Sequence, residues 1–448
     1  MASLAAALEV LGRRLDPMSL APVAVAFSGG GDSLALMLAA RTYAGQSGRR
    51  LVAIHVDHRL QPQSAAWADD AEAAAARLDI PFVRRAWTGE KPSAGLPAAA
   101  RAARHRLIAE ACRELGAKVA LIGHTLDDQL ENALMRGGGV PVGPLREWAP
   151  SPVWPEGRGL FLCRPLLSMR RAELRAWLAE QGLHWLDDPA NADLRYARPR
   201  ARLALAGGAG AEPAPELDLG ALEGLWRARP WGGIEIDRAG LMRADSDRAL
   251  RLLQMAAACA SGAEGLARPA RARGVLARLQ AGERFVASLC GARIAAEDDR
   301  VALEREAGEA RRGGMSPVVL EPGAPAVWDG RFELCAPRRV RVEALRGLAA
   351  HLGPRDRAAM LGVAVPGRPA LPVFRSVDGA GDTPRLALAG ADAHIGFAGF
   401  SCRALPGERL AAAAGLVTEE SRIEAHIPGR DNRPHGELSS AALCRGGM

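Results

Sequence analysis

The chain has 448 residues, 48% hydrophobic and 24% charged, a composition that excludes a largely disordered protein and supplies more than one core. Its formal net charge of +7 favours a polyanionic partner, although 58 basic residues with only Lys91 and Lys118 as lysines also fit an arginine-biased, GC-rich gene. No apolar run reaches the roughly 20 residues needed to cross a bilayer, so no membrane is expected.

In chain order, "MASLAAALEVLGRRLD" reads as an amphipathic helix, with Glu9 inside its apolar stretch and its arginines after it, the wrong order for a signal peptide. Strands are then predicted at Val23–Phe27, Leu51–Val56, Pro81–Trp87 and Lys118–Gly123. Helices are predicted at Leu34–Ala44, Ser64–Leu78, Pro97–Leu115 and Leu126–Met135. Short apolar strands alternating with long helices predict an α/β, doubly wound parallel sheet, with ligands beyond the carboxyl ends of the strands. "RGGGVPVGP" (Arg136–Pro144) has the composition of a lid, and residues 160–206 read as an α-rich piece completing a first domain over 1–206. Low-complexity residues 207–216 form the expected linker. A mostly helical accessory domain is expected over 217–312, with one strand pair near "RIAAEDDRVALER", and a small α+β domain over 313–418, with strand-like "AVWDGRFEL", as a further tRNA-contacting candidate. Residues 419–448 read as a tail of disordered composition. The seven cysteines are widely spaced with no C-x-x-C pair, which removes sequence support for a zinc ribbon or disulfide framework and fits a reducing cytoplasm.

The stretch "VAVAFSGGGDSLALML" places a glycine turn between a strand and a helix. Such a turn lets backbone N–H groups approach a phosphate, with the positive end of the helix behind them. Ser28, Gly29, Gly30, Gly31 and Ser33 are the candidate cradle; Asp32 would repel phosphate alone, which suggests a bridging Mg²⁺. The loop lacks the lysine of G-x-x-x-x-G-K-[ST] and the spacing of G-x-G-x-x-G.

"SGGGDS" resembles the S-G-G-x-D-S loop of the N-type ATP pyrophosphatases, which cleave ATP to AMP and pyrophosphate. With "HVDHRL" (His55–Leu60), "ARAARH" (Ala100–His105), "GHTLDDQLEN" (Gly123–Asn132), "RPLL" (Arg164–Leu167) and "DDPANADLRYARPRAR" (Asp187–Arg202), the chain resembles the tRNA(Ile)-lysidine synthetase family over roughly residues 20–205. That resemblance implies ATP as co-substrate, L-lysine as the group transferred, and tRNA(Ile) with a CAU anticodon as acceptor. The wobble cytidine is first adenylated, and lysine then displaces AMP, changing codon reading from AUG to AUA.

The residue types suit that chemistry. Building charge on phosphate calls for fixed cations, and Arg104 is the candidate for the α-phosphate, with Arg101 one turn away. His124, Asp128 and Glu131 recur at helical spacing. Two carboxylates on one face suit capture of a lysine ammonium, yet carboxylates raise an amine's pKa while the attacking amine must lose a proton. His124 or one of these acids is the expected general base. His58 ends the second strand, where nucleotide contacts would lie; His55 and Asp57 read as packing groups, and Asp127 as a helix-dipole charge. Arg195, Arg198, Arg200 and Arg202 are candidate RNA-phosphate contacts.

This chain departs from the family pattern at Arg59, where glycine is common, at His105, where tyrosine is common, and at Asn132. A tRNA sulfur transferase with the same loop and a non-catalytic ATP sensor are the rival readings; the assembly state stays open, a homodimer included.

Overall fold

The computed structural model describes every residue except Met1, Pro141, 188–192, 214–216, 218, 378–382, 389–399 and 427–448. Part of the expected linker, Cys444 and the end of the expected tail therefore lie outside the described residues.

The first domain is built on strands β1 (Val23–Ala26), β2 (Leu51–Asp57), β3 (Phe82–Ala86), β4 (Val119–Ile122), β5 (Trp148–Pro150) and β6 (Phe161–Cys163). They form a six-stranded sheet in the order β3-β2-β1-β4-β6-β5, parallel except for β5. The strands are apolar on both faces because both faces are covered. Val23, Val25, Val119 and Leu121 point into a core with helices α1 (Ala2–Arg14), α2 (Gly31–Ser47), α3 (Ser64–Ala76) and, later in the chain, α6 (Arg171–Glu180). Their neighbours Ala24, Ala120 and Ile122 point the other way, onto Ile108, Ala109 and Cys112 of α4 (Leu96–Leu115). Helices α5 (Leu126–Gly137) and α7 (Ala197–Ala206) pack against each other beyond the carboxyl edge. The strand order reverses between β1 and β4, which makes the crevice above their carboxyl ends the expected ligand position.

The second domain departs from the mostly helical expectation. Helices α8 (Arg238–Arg243), α9 (Ser246–Ser261) and α10 (Pro269–Gln280) accompany strands β7 (Trp226–Ala228), β8 (Ile234–Asp237), β9 (Phe285–Leu289), β10 (Ala292–Ala296) and β11 (Arg300–Arg305). These strands form an antiparallel sheet in the order β7-β8-β11-β10-β9. The expected strand pair is β10–β11; the missed strands β7, β8 and β9 have three, four and five residues, too short for a period of two to stand out.

Farther on, β12 (Val318–Leu320), β13 (Ala326–Trp328), β14 (Phe332–Cys335), β15 (Val340–Ala344), β16 (Pro372–Ser376), β17 (Arg385–Leu386) and β18 (Ser401–Ala404) form sheets β12-β15-β16-β17 and β13-β14-β18, with helix α11 (Pro354–Leu361) alongside. "AVWDGRFEL" is the β13–β14 hairpin, and Asp329 and Gly330 at its tip both have positive φ, 51° and 62°, as a tight hairpin turn requires.

Helices α12 (Pro406–Ala414) and α13 (Ser421–His426) tie the molecule together. Leu410 and Ala414 lie in the core of the second domain, while Ala412, Val417 and Ile423 lie in that of the first. Glu420 accepts two hydrogen bonds from Arg49, at 2.6 and 2.9 Å, with both side chains 2% exposed. Residues 419–426, expected in the tail, are thus a clasp anchored by the buried Glu420 and Ile423; a lone partner of the Arg49–Glu420 pair would be costly.

Candidate active site

The glycine loop leaves β1 and enters α2 without any side-chain cap, since Gly30 at the N-cap has none and is extended. The first amides of α2 therefore face the crevice without helical partners of their own. Gly29 has φ 89°, and a Cβ there would come within 2.7 Å of Leu186 Cδ1. A Cβ on Gly31 would sit 3.3 Å from the Trp185 ring, and one on Gly123, after β4, would sit 3.1 Å from the Asp32 carbonyl oxygen. Close packing on both sides thus requires glycine at the switch point. The two serines close the turn: their Oγ atoms are 3.1 Å apart, and Ser33 Oγ donates to the Gly30 carbonyl at 2.8 Å. Ser33, expected to donate to phosphate, spends its proton on the loop itself.

At the end of β2, His55 Nδ1 lies 2.9 Å from the Phe27 carbonyl oxygen, and Asp57 accepts from the Arg59 amide at 2.9 Å, so both hold the backbone. Arg59 has φ 52°, which explains why glycine suits this position. Arg59→Gly is expected to stabilise the first domain by about 0.5–1 kcal/mol in urea unfolding. His58 meets Trp87 edge-on at 6.2 Å, and Lys91 Nζ lies 3.9 Å above the same ring. Burial, then Arg104 and His55, lowers His58 to about 4, so it is neutral, and its Nδ1 has no hydrogen-bond partner. Arg104, on α4 and half-buried, makes no hydrogen bond or ion pair among the described residues; burial, Arg101 and Arg198 lower it to about 10, still charged at neutral pH. A cation held beside cations with its donors unspent suits an incoming phosphate.

On the other side of the switch point, α5 begins with a capping box in which Asp128 Oδ2 accepts from the Thr125 amide at 2.9 Å. Asp127 accepts from the Arg171 amide at 2.7 Å and pairs with Arg170 at 3.0 Å, in keeping with its structural reading. Glu131 is fully buried. Asp32, Asp128 and Glu131 all meet one side chain that the sequence reading did not assign, Arg171. Its Nε donates to Asp32 Oδ2 at 2.8 Å and its Nη1 to Glu131 Oε1 at 3.0 Å, while Nη2 lies 3.5 Å from Asp128 Oδ2. Burial opposes the Arg171 charge, but Asp128, Asp32 and Glu131 outweigh it and raise its pKa.

Arg198 and Arg202 differ from the expected RNA-facing surface. Arg198 donates to Asp128 at 2.8 Å and to Asn132 at 2.7 Å, and Arg202 donates to Glu131 at 3.0 Å. The packing of α7 on α5 turns them inward, because buried carboxylates need partners. Arg195 and Arg200 remain outside: the Arg195 side chain is 82% exposed and pairs with Asp193, and Arg200 donates to the carbonyls of Leu194 and Arg195.

Arg164 Nε donates to His124 Nδ1 at 3.0 Å, and both residues are buried. A guanidinium N–H can only donate, so His124 Nδ1 accepts and the ring proton sits on Nε2. Burial, with Arg164 and Arg104 close by, holds His124 well below its ordinary pKa. In this arrangement His124 offers an N–H, and its basic lone pair is already used; the general-base role expected for it does not fit the geometry.

His105 is buried at 2% exposed with neither ring nitrogen partnered, and burial, then Arg104 and Arg101, lowers it to about 2. Depressed histidines bind fewer protons folded than unfolded, so their stability contribution is present above about pH 6.5 and is lost as pH falls. Each loses up to about 1.4 kcal/mol per pH unit below that value. His105→Phe is expected to remove one such slope between pH 6.5 and 5. The difference from wild type in urea midpoints isolates it, since Glu304 and Glu408, each raised to about 7 mainly by burial, act with opposite sign in both proteins.

Comparison with known proteins identifies the family. Residues 7–207 match the family model described as a PP-loop domain, so the fold and the glycine loop define a PP-loop protein. The chain is 48% identical to the tRNA(Ile)-lysidine synthase of Caulobacter vibrioides over 92% of this chain and 97% of that one. It is 34% identical to that of Brucella anthropi over 76% and 82% of the two chains, and 33% identical to that of Rhizobium meliloti over 84% and 86%. The chain belongs to the tRNA(Ile)-lysidine synthase family.

Proposed function

We propose that this chain is an ATP-dependent ligase that joins L-lysine to C2 of the wobble cytidine in tRNA(Ile) with a CAU anticodon. The observation that carries this reading is the pairing of two half-sites across one switch point: uncapped helix amides on one side and the buried acids of α5 on the other, with Arg104, near His58, His124 and Asp128, free of hydrogen bonds and ion pairs among the described residues. In the first step the cytidine O2 attacks the α-phosphorus of ATP; an O–P bond forms and pyrophosphate leaves. In the second, an amine of lysine attacks C2, the C2–O bond breaks, and AMP departs.

The α2 amides and Arg104 are assigned to the phosphates, His58 with Trp87 to the nucleoside side, and the His124 N–H to charge on the transferring phosphate or its leaving oxygen. Asp32 Oδ1 is buried without a hydrogen-bond partner, which fits a ligand to Mg²⁺; the ion would be held by this carboxylate together with nucleotide phosphates and would neutralise their charge. Asp128 and Glu131 are assigned to lysine. Arg195 and Arg200 are assigned to the tRNA backbone, where their contribution is expected to fall with salt. These substrates imply a cytoplasmic enzyme.

Sulfur transfer asks for a reactive thiol, and the described cysteines nearest this site do not supply one. Cys112 and Cys163 are fully buried, and burial raises Cys163 to about 12. The test is pyrophosphate release from ATP that requires tRNA, followed by AMP release that requires lysine. Incorporation of sulfur into tRNA, or nucleotide binding without turnover, would reverse the assignment.

A further inference from the structure

Asp32, Asp128 and Glu131, which the sequence distributes between a metal and an amino acid, converge on one guanidinium. Arg171 is the first residue of α6, where the helix dipole opposes a positive charge. Its backbone amide is held by Asp127, its guanidinium meets only the three acids among the described residues, and its side chain is 15% exposed. The acids assigned to lysine are not saturated: Glu131 Oε2 is buried with no hydrogen-bond partner, and Arg198 Nη1 lies 3.6 Å from it. A pocket with spare acceptors beside a fork of donors has the complement of an amino-acid head, an ammonium and a carboxylate on one carbon.

We propose that lysine is taken up by exchange of ion pairs. Its α-ammonium takes Asp128 and Glu131 from Arg171, and the released guanidinium pairs with the α-carboxylate. Arg171 is then a specificity-determining residue that reads an amino acid rather than a plain amine. Arg171 keeps Asp32, so its pairs with Asp128 and Glu131 are given up while lysine gains three, and no buried charge is left uncompensated at either stage. It also removes the conflict raised by the sequence. The acids hold the α-ammonium, so they do not raise the pKa of the ε-amine, which extends from the pocket towards C2 of the cytidine.

This inference rests on the reading of the acid set as the lysine site, and calorimetric titration of the full chain separates the two. The probes are L-lysine, L-norleucine, which keeps the amino-acid head without the ε-amine, and cadaverine, which keeps two amines without the carboxylate. In the wild-type chain lysine and norleucine are expected to bind within about tenfold of each other, and cadaverine at least about tenfold more weakly. In Arg171→Gln the preference over cadaverine is expected to collapse, with Arg171→Lys retaining part of it. Cadaverine binding as tightly as lysine while norleucine fails to bind would overturn the exchange in the wild-type chain alone, whatever the variants do. Discrimination unchanged in a folded Arg171→Gln would overturn the part given to Arg171. Failure of lysine to bind the wild type at all would instead remove the reading of this pocket as the lysine site.

Discussion

Asp32→Ala is expected to abolish transfer of AMP to tRNA, lowering its rate by about a thousandfold or more, while the first domain stays folded. The size follows from position. Asp32 stands in the first turn of α2, its Oδ2 tied to Arg171 and its Oδ1 free, beside the amides assigned to the phosphates. Fixed charge at the site of phosphoryl chemistry typically supplies factors of about 10²–10³ per group, and loss of the proposed Mg²⁺ ligand would add to that. Stability changes less, because Arg171 keeps Glu131 and Asp128 as partners. Asp32→Asn, which keeps the shape and removes the charge, should be nearly as inactive. The measurement is radiolabelled AMP on tRNA. Labelling at the wild-type rate in either variant would remove Asp32 from the first step.

Glu131→Gln is expected to separate the steps. AMP should still reach tRNA at close to the wild-type rate, and its displacement by lysine should slow by about 10²–10³-fold, so that adenylated tRNA accumulates. Glutamine is the informative change, since it keeps a hydrogen-bond acceptor for Arg171 and Arg202 within the buried set. Glu131→Ala should block the lysine step as well, with a further stability cost of about 1–3 kcal/mol, because Arg171 and Arg202 lose an acceptor but both still reach solvent. Absence of labelled AMP on tRNA in the glutamine variant would show that Glu131 serves the first step, and the division of labour between the two half-sites would be wrong.

The sheet was legible because its strands are short apolar runs between long helices, and the glycine loop because its composition breaks that pattern so sharply. The position of the site followed from topology, since β1 and β4 lie side by side with the chain leaving in opposite directions. What the sequence concealed was the pairing of charges. Four arginines in "RYARPRAR" look alike as text, yet the packing of α7 on α5 commits Arg198 and Arg202 to the acids and leaves Arg195 and Arg200 outside. Arg171 gave one local signal that went unused: an arginine at the first position of a helix opposes the dipole, and such a breach of local preference marks a charge needed elsewhere. His124 stands before the extended N-cap Thr125 and not on α5, so the helical spacing that grouped it with Asp128 and Glu131 does not hold, and the direction of its proton depended on Arg164, forty positions away along the chain. Strands β7, β8 and β9 of the second domain and the α13 clasp were hidden for a related reason, as each is a short segment defined by what it packs against rather than by its own pattern.

The account stands on adenylation of a particular cytidine followed by its capture by an amine. Mass spectrometry of nucleosides from a CAU-anticodon tRNA(Ile) incubated with the chain, ATP, Mg²⁺ and lysine tests that directly. The account predicts that the wobble cytidine is replaced by its lysine conjugate, only when ATP and lysine are both present and not with Asp32→Ala. An unmodified wobble cytidine after complete reaction with active protein, or a sulfur-containing nucleoside in its place, would contradict it.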